Sequence, residues 1–392
     1  MSLTPTEKKM WDETPRKEKP QMSDDEINKK YRAGDGRILL EINREKLPAF
    51  AEQLKKSGYM DLKPFYQRRE RWDKQKQSRL IESFLINIPV PPIILYEEKY
   101  NSYEVMDGQQ RITAIRDFYD NKLKLTGLEI WTELEGRTYK QLPRNIQAGI
   151  DRRSISSITI ITESTSSPEE ALFLKQKTFE RLNTGGVDAS NQEVRNCLYN
   201  GKFNSLLFEL ANNEIFVKAW KLPPQQNQKD REIKENSLYQ KMEDVELVLR
   251  FFALRNAEHF SGGMKEFLDV YMRKSLNFSD EDIKLLESIF LETITLAHEI
   301  YEEHLFKPFD PKSNTWKKRS YKAYYDAVMV GLSRHLSNAH LLKEQKSKVI
   351  EETKKLLEKD KLRLLTGQGK SKYDVQKRIQ MFENMLWEFI GE

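Results

Sequence analysis

With one cysteine, Cys197, in 392 residues, no intrachain disulfide can form, and a reducing cytoplasm is the expected compartment. The five histidines are scattered, and no CxxC, HExxH or related spacing offers a metal cage, so no protein-held metal is expected. No stretch approaches the roughly 18 uninterrupted apolar residues of a membrane span. Met1 to Lys30 also lacks the apolar centre of a secretory leader, and neither a membrane partner nor a targeting segment is expected. An excess of one charge sign is nearly absent as well: 66 Lys and Arg against 61 Asp and Glu leave +5, too little to argue nucleic-acid binding by itself.

What is present is a polar surface around a real core. Charged residues reach 32% and mean hydropathy is -0.74, yet aromatics hold at 10%. The length suits more than one domain. Residues 1–34 read as a polar arm, with a short helix opened by the capping box Ser23-Asp24-Asp25-Glu26. From 35 to 220 the texture is mixed α/β. Strands are expected at Ile38–Ile42, Ile93–Tyr96, Ser102–Met106, Leu123–Ile130 and Ile155–Ile161. Helices are expected at Leu47–Leu54, from Asp73 to about Phe84, from Gly108 to about Asn121, from Ser167 to about Leu182, and after Ser190. Residues 221–236, with Pro223-Pro224-Gln225-Gln226, read as a linker, and 237–392 as an all-α domain with no internal repeat.

The chemistry concentrates at Asp107-Gly108-Gln109-Gln110-Arg111, between a strand and a helix. A glycine there lets the backbone approach an anion, the helix start presents unpaired N–H groups, and Arg111 adds a forked donor. The spelling alone is also compatible with an ordinary capped turn. Gln67-Arg68 can bring a second cation or belong to a solvated charge run, and Trp72 reads as packing rather than as a base-stacking platform. Arg181 to Gly186 is either a loop that closes over a ligand or a plain helix C-cap. In the helical part, Trp316, Lys317, Lys318 and Arg319 have the composition of a DNA-contacting surface, or of a loop entering a helix.

Taken together, several linked motifs carry a resemblance. They are Gln67-Arg68 with Trp72, Leu80-Ile81-Glu82-Ser83 leading to Ile88-Pro89-Val90-Pro91-Pro92, the Asp107–Arg111 turn, and Phe179-Glu180-Arg181-Leu182-Asn183-Thr184-Gly185-Gly186 with Gln192-Glu193-Val194-Arg195-Asn196. In this order the chain resembles the N-terminal domain of the GmrSD-type modification-dependent restriction proteins, over about residues 35 to 215. The resemblance implies an α+β protein: a ParB/sulfiredoxin-like N-terminal domain followed by the helical domain. It implies a nucleoside triphosphate cofactor of open base identity, with Mg2+ as a candidate companion, and an NTPase that regulates restriction in anti-phage defence.

On that resemblance Gly108 and Arg111 hold phosphate, assisted by Gln67, Arg68, Arg181, Asn183, Thr184 and Gly186. Asp107, Gln109, Gln110 and Arg111 form the catalytic set, ordering a water or a metal ion. The implied partners are nucleotide, DNA, a separate nuclease subunit and a second copy of the chain. The histidines show no HNH pattern, so the chain is not expected to be a complete nuclease. Two alternatives stay open: a ParB-like DNA-binding adaptor that uses nucleotide as a switch, and a metal-dependent DNA nickase. A sulfiredoxin-like redox reaction is set aside because Cys197 lies far from the turn.

Overall fold

A computed structural model describes residues 3–12, 22–33, 39–61, 72–161, 190–223, 236–358, 360–369 and 371–390, together with Leu172, Lys175 and Thr178. The chain divides into two compact units, one of residues 17–189 and one of residues 1–16 with 190–392. The expected boundary at 221–236 thus differs from the observed one, which falls between Ala189 and Ser190. The reason is visible in α7 (Asn191–Leu198), where buried Arg195 bonds Glu246 and Asp269 of later helices. Most of the expected linker lies outside the described residues.

The first unit is mixed. Its elements are α2 (Asp24–Ala33), β1 (Leu39–Lys46), α3 (Leu47–Gln53), β2 (Met60–Asp61), α4 (Lys74–Leu85), β3 (Ile93–Lys99), β4 (Ser102–Asp107), α5 (Gln109–Tyr119), α6 (Arg144–Asp151) and β5 (Ser154–Ile161). The sheet runs β1-β5-β3-β4-β2. Its β1/β5 and β3/β4 pairs are antiparallel, and its β5/β3 and β4/β2 pairs parallel. Helices α3 to α6 pack on one another, and α3 and α5 also meet the sheet. Their apolar stripes close a core around Leu47, Phe50, Ile81, Phe84, Ile112, Ile115 and Phe118, with Ile93 and Val105 from the sheet. The expected caps are present: Ser23 with Glu26, and Asp73 accepting from the Lys76 N–H at 2.8 Å. Of the helix expected after Ser167, Leu172, Lys175 and Thr178 are described, and all three are helical.

One expected strand is absent. Leu123 to Ile130 forms a loop: Leu123 and Leu125 are buried two residues apart, but buried Leu128 breaks the alternation a strand would keep. The segment bonds to side chains and turns instead of a strand edge: the Thr126 N–H donates to Ser78 Oγ, and the Leu125 N–H to the Arg137 carbonyl. Periodicity of two reports which side chains face the core, not which backbone pairs with another.

The second unit is helical but not purely so. Beyond α7 come α8 (Lys202–Ala211), α9 (Glu214–Trp220), α10 (Ser237–Gln240), α11 (Glu243–Leu254), α12 (Met264–Ser275), α13 (Asp280–Tyr301), α14 (Lys322–Arg334), α15 (Ala339–Glu344), α16 (Lys346–Leu356), α17 (Asp360–Leu365) and α18 (Lys372–Trp387). A two-stranded hairpin of β6 (Phe309–Asp310) and β7 (Thr315–Trp316) interrupts the helices, so the all-α expectation needs this correction. Two-residue strands are too short to leave a periodic signal in the sequence.

The first residues of the polar arm are docked. Helix α1 (Pro5–Lys9) belongs to the second unit, and its Glu7 is fully buried. The Glu7 carboxylate accepts from the Thr4 N–H at 2.9 Å, from Asn256 Nδ2 at 3.1 Å and from the Tyr271 hydroxyl at 3.1 Å, with Arg255 Nη1 at 3.5 Å. Trp11 stacks on His259 with ring centres 4.7 Å apart and donates its Nε1–H to Asn256 at 2.9 Å. A Glu within a lysine-rich stretch reads as solvated until the groups that solvate it are known. Glu7→Ala removes a buried acceptor shared by Arg255, Asn256 and Tyr271. A loss of about 3 kcal/mol is expected in denaturant unfolding of this unit, and a loss indistinguishable from zero would contradict the seating of α1.

Candidate phosphate-binding turn

Strand β4 carries Val105 and Met106 into the core and ends at Asp107; α5 starts two residues later. Between them Gly108 adopts φ +97° and ψ 8°, a left-handed conformation at the N-cap, with no side chain capping the helix. The position excludes a Cβ on two grounds. The conformation strains any L side chain, and a Cβ would lie 2.6 Å from Ile93 Cγ2 and 3.1 Å from Arg111 Nη2. The expected strand-to-helix turn is therefore present, and backbone packed on β3 closes it from below.

Arg111 sits at the third residue of α5 and folds back over the turn. Its Nη2 donates to Asp107 Oδ2 at 2.8 Å and to the Pro92 carbonyl at 3.2 Å, while its Nε is buried with no hydrogen-bond partner among the described residues. The Asp107 side chain keeps 35% of its exposure and Arg111 14%, so solvent reaches the ion pair. The chemistry on offer is that of an anion cradle: a glycine cap, the start of an 11-residue helix and a guanidinium holding a displaceable carboxylate. The orphaned Arg111 Nε is a donor that an anionic oxygen would satisfy.

Gln110, the next residue of the expected catalytic set, holds the turn in place. It is buried, and its side-chain oxygen accepts from the Trp72 N–H at 3.3 Å, which ties the turn to the segment entering α4. Trp72 packs against the core, as its expected role required. Gln109 opens α5 beside the cradle. Gln67, Arg68, Arg181, Asn183, Thr184 and Gly186 lie outside the described residues.

Two features around the turn were not apparent from the sequence as chemistry. The first is Glu82, on α4. Its carboxylate accepts from three consecutive backbone N–H groups, those of Glu129, Ile130 and Trp131, at 2.8 to 3.2 Å. Burial pushes its carboxyl up, but these bonds and the nearby Arg79 outweigh it and hold the group below the ordinary carboxylate value. The second is a buried ion pair on β4: Glu104 Oε2 meets Lys175 Nζ at 2.5 Å, and Lys175 also lies 4.3 Å from the Tyr96 ring centre. Neither residue type at its position distinguishes such a pair from two surface charges.

In the helical unit, Trp316 and Lys317 are engaged internally. Trp316 stacks on His304 with centres 4.9 Å apart and meets Phe309 edge-on, while Lys317 Nζ pairs with Asp310 at 2.5 Å. Lys318 and Arg319 are exposed. Among the described residues, no group of three or more His, Cys, Asp or Glu side chains converges on a common point. No helix among them is long and apolar enough to cross a membrane.

Residues 50–200 match the family model of the GmrSD restriction endonuclease N-terminal domain. This part of the chain is a domain of that family. The match contains β2 to β5, the turn and α7. No curated protein and no solved structure matches the chain.

Because its folded-state value is depressed, Glu82 contributes stability that is present at neutral pH and lost as pH falls through that value. Glu82→Gln is expected to cost about 2 kcal/mol at pH 7. The gap from wild type should close on acidification; a gap independent of pH would show that the charge is not what holds the loop.

Proposed function

We propose that this protein is the nucleotide-binding and nucleotide-hydrolysing component of a DNA-restriction or anti-phage defence system. Its first unit is read as a ParB/sulfiredoxin-like fold. The family match supports the restriction context. The observation that carries the nucleotide reading is the left-handed Gly108 cap with Arg111 folded over it.

In this reading a nucleoside triphosphate lays its terminal phosphates on the start of α5. Arg111 exchanges the Asp107 carboxylate for phosphate oxygens and neutralises charge as the phosphoryl group departs. Released Asp107, with Gln109, orients the attacking water. A Mg2+ ion carried by the phosphates needs only one or two protein carboxylates, and Asp107 supplies one. Gln67 and Arg68, and Arg181, Asn183, Thr184 and Gly186, complete the nucleotide contacts. Gln110 positions the turn through Trp72 and takes no proton. DNA is sensed by the chain, with Lys318 and Arg319 as contacts, or by a partner nuclease subunit; assembly into a homo-oligomer is part of the same reading.

The test is turnover of the four nucleoside triphosphates, with and without DNA, by Arg111→Ala, Asp107→Ala and Gly108→Ala proteins that melt near wild type. At least a tenfold loss is expected for each, the scale of a single lost electrostatic contact at a reacting phosphate. Wild-type rates in both the Arg111 and Asp107 variants would overturn the assignment.

The Arg111–Asp107 pair favours a second reading. It is a closed state that phosphate opens, so nucleotide acts as a switch for DNA binding without being consumed. Retained nucleotide-dependent DNA binding with no product would select it.

A further inference from the structure

The helical unit contains a cavity of about 620 Å3, of whose lining the proposed function uses only Arg319. Its volume falls in the range typical of small-molecule sites, roughly 300 to 1,000 Å3. Its lining is electrostatically one-sided: among the described residues Arg195, Arg250, Lys265, Arg319, Lys322 and Arg378 line it, against one carboxylate, Glu246.

Several of these cations are already compensated. Arg195 pairs with Glu246 and Asp269 at 2.7 Å each, Arg250 with Asp326, and Lys322 with Glu243 at 2.6 Å. Two are not. Arg319 is exposed and leans on the Tyr321 ring at 4.9 Å, with no carboxylate pairing with it among the described residues. Arg378 is 3% exposed; its Nη2 reaches only the Gly369 carbonyl at 3.3 Å, and its Nε has no hydrogen-bond partner among the described residues. Burial holds the Arg378 guanidinium below its ordinary value; Asp326 and Asp374 oppose that shift without forming an ion pair with it, and the neighbouring Arg250 adds to it. A buried guanidinium with an unmet donor is costly unless an anion arrives to meet it. Apolar and aromatic surface comes from Met264, Leu268, Tyr321, Ala323 and Val375, with Asn191, Ser320 and Thr366 as neutral polar groups among them.

We propose that this cavity binds a phosphorylated small molecule of nucleotide size, its phosphate held by Arg319 and Arg378 and its body by Leu268, Tyr321 and Val375. This site is built from residues of the helical unit alone and stands whether or not the turn at Gly108 binds nucleotide. Planar forked donors suit a terminal phosphate, and Tyr321 offers a face for a flat ring.

The experiment is calorimetric titration of the full chain carrying Arg111→Ala, with inorganic pyrophosphate and with ATP as probes. Saturable binding of both is expected, with ATP the tighter. Adding Arg319→Ala is expected to weaken both at least tenfold at an unchanged melting temperature, and Arg319→Lys to recover part of the loss. Absence of saturable binding, or affinities that ignore the Arg319 substitutions, would overturn the proposal. Equal affinity for the two probes would overturn the assignment of a nucleotide-sized body. Tighter capture of a short single-stranded oligonucleotide than of ATP would overturn it in favour of a nucleic-acid strand. Wild-type nucleotide turnover in the Arg111→Ala protein would count against the turn and leave the cavity's titration unaffected.

Discussion

The proposed activity depends on one steric constraint, the absence of a Cβ at Gly108. Ile93 of β3 approaches so closely that no side chain fits, and the left-handed backbone lets β4 turn into α5 without an intervening loop. The consequence is that strand end and helix start face the same point. Arg111 then needs only one helical turn to reach back to Asp107. A longer connection would have separated the carboxylate, the guanidinium and the helix start, and with them any cooperative hold on an anion.

Around that turn the molecule uses polar side chains to organise irregular backbone. Glu82 binds three successive amides where the expected strand is missing, and Gln110 binds the amide of Trp72. Glu7 does the same work in the helical unit, joining the first helix of the chain to Asn256 and Tyr271. In each case a buried polar group finds its partners far along the chain, which is what makes burying it tolerable. The cavity at Arg378 is the contrasting case, because there the donor is buried and one of its partners is missing.

Much of the local structure was legible in the residues. The caps at Ser23, Asp73 and Ser190 are where their side chains put them, because a cap is a contact between residues three apart. The order of β3, β4 and α5 followed from apolar runs punctuated by Asp107-Gly108. What the residues did not show were features defined by distant partners: the 123–130 loop, the β6/β7 hairpin, the contacts that seat α1 and the packing of α7 on the helical unit.

The sequence by itself determined the turn: a glycine between a short strand and an apolar-striped helix, with Asp107 and Arg111 one helical turn apart, follows from spacing and conformational preference. It also carried the family resemblance of residues 50–200, since the linked motifs are local strings in a fixed order. Only the tertiary structure decided that Arg111 rests on Asp107 and the Pro92 carbonyl, that Gln110 is committed to Trp72, and that six cations converge on one cavity in the helical unit. The physical reason is one of range. Backbone preference and capping act over three or four residues, whereas the partner of a buried charge is chosen by packing between elements dozens to hundreds of residues apart.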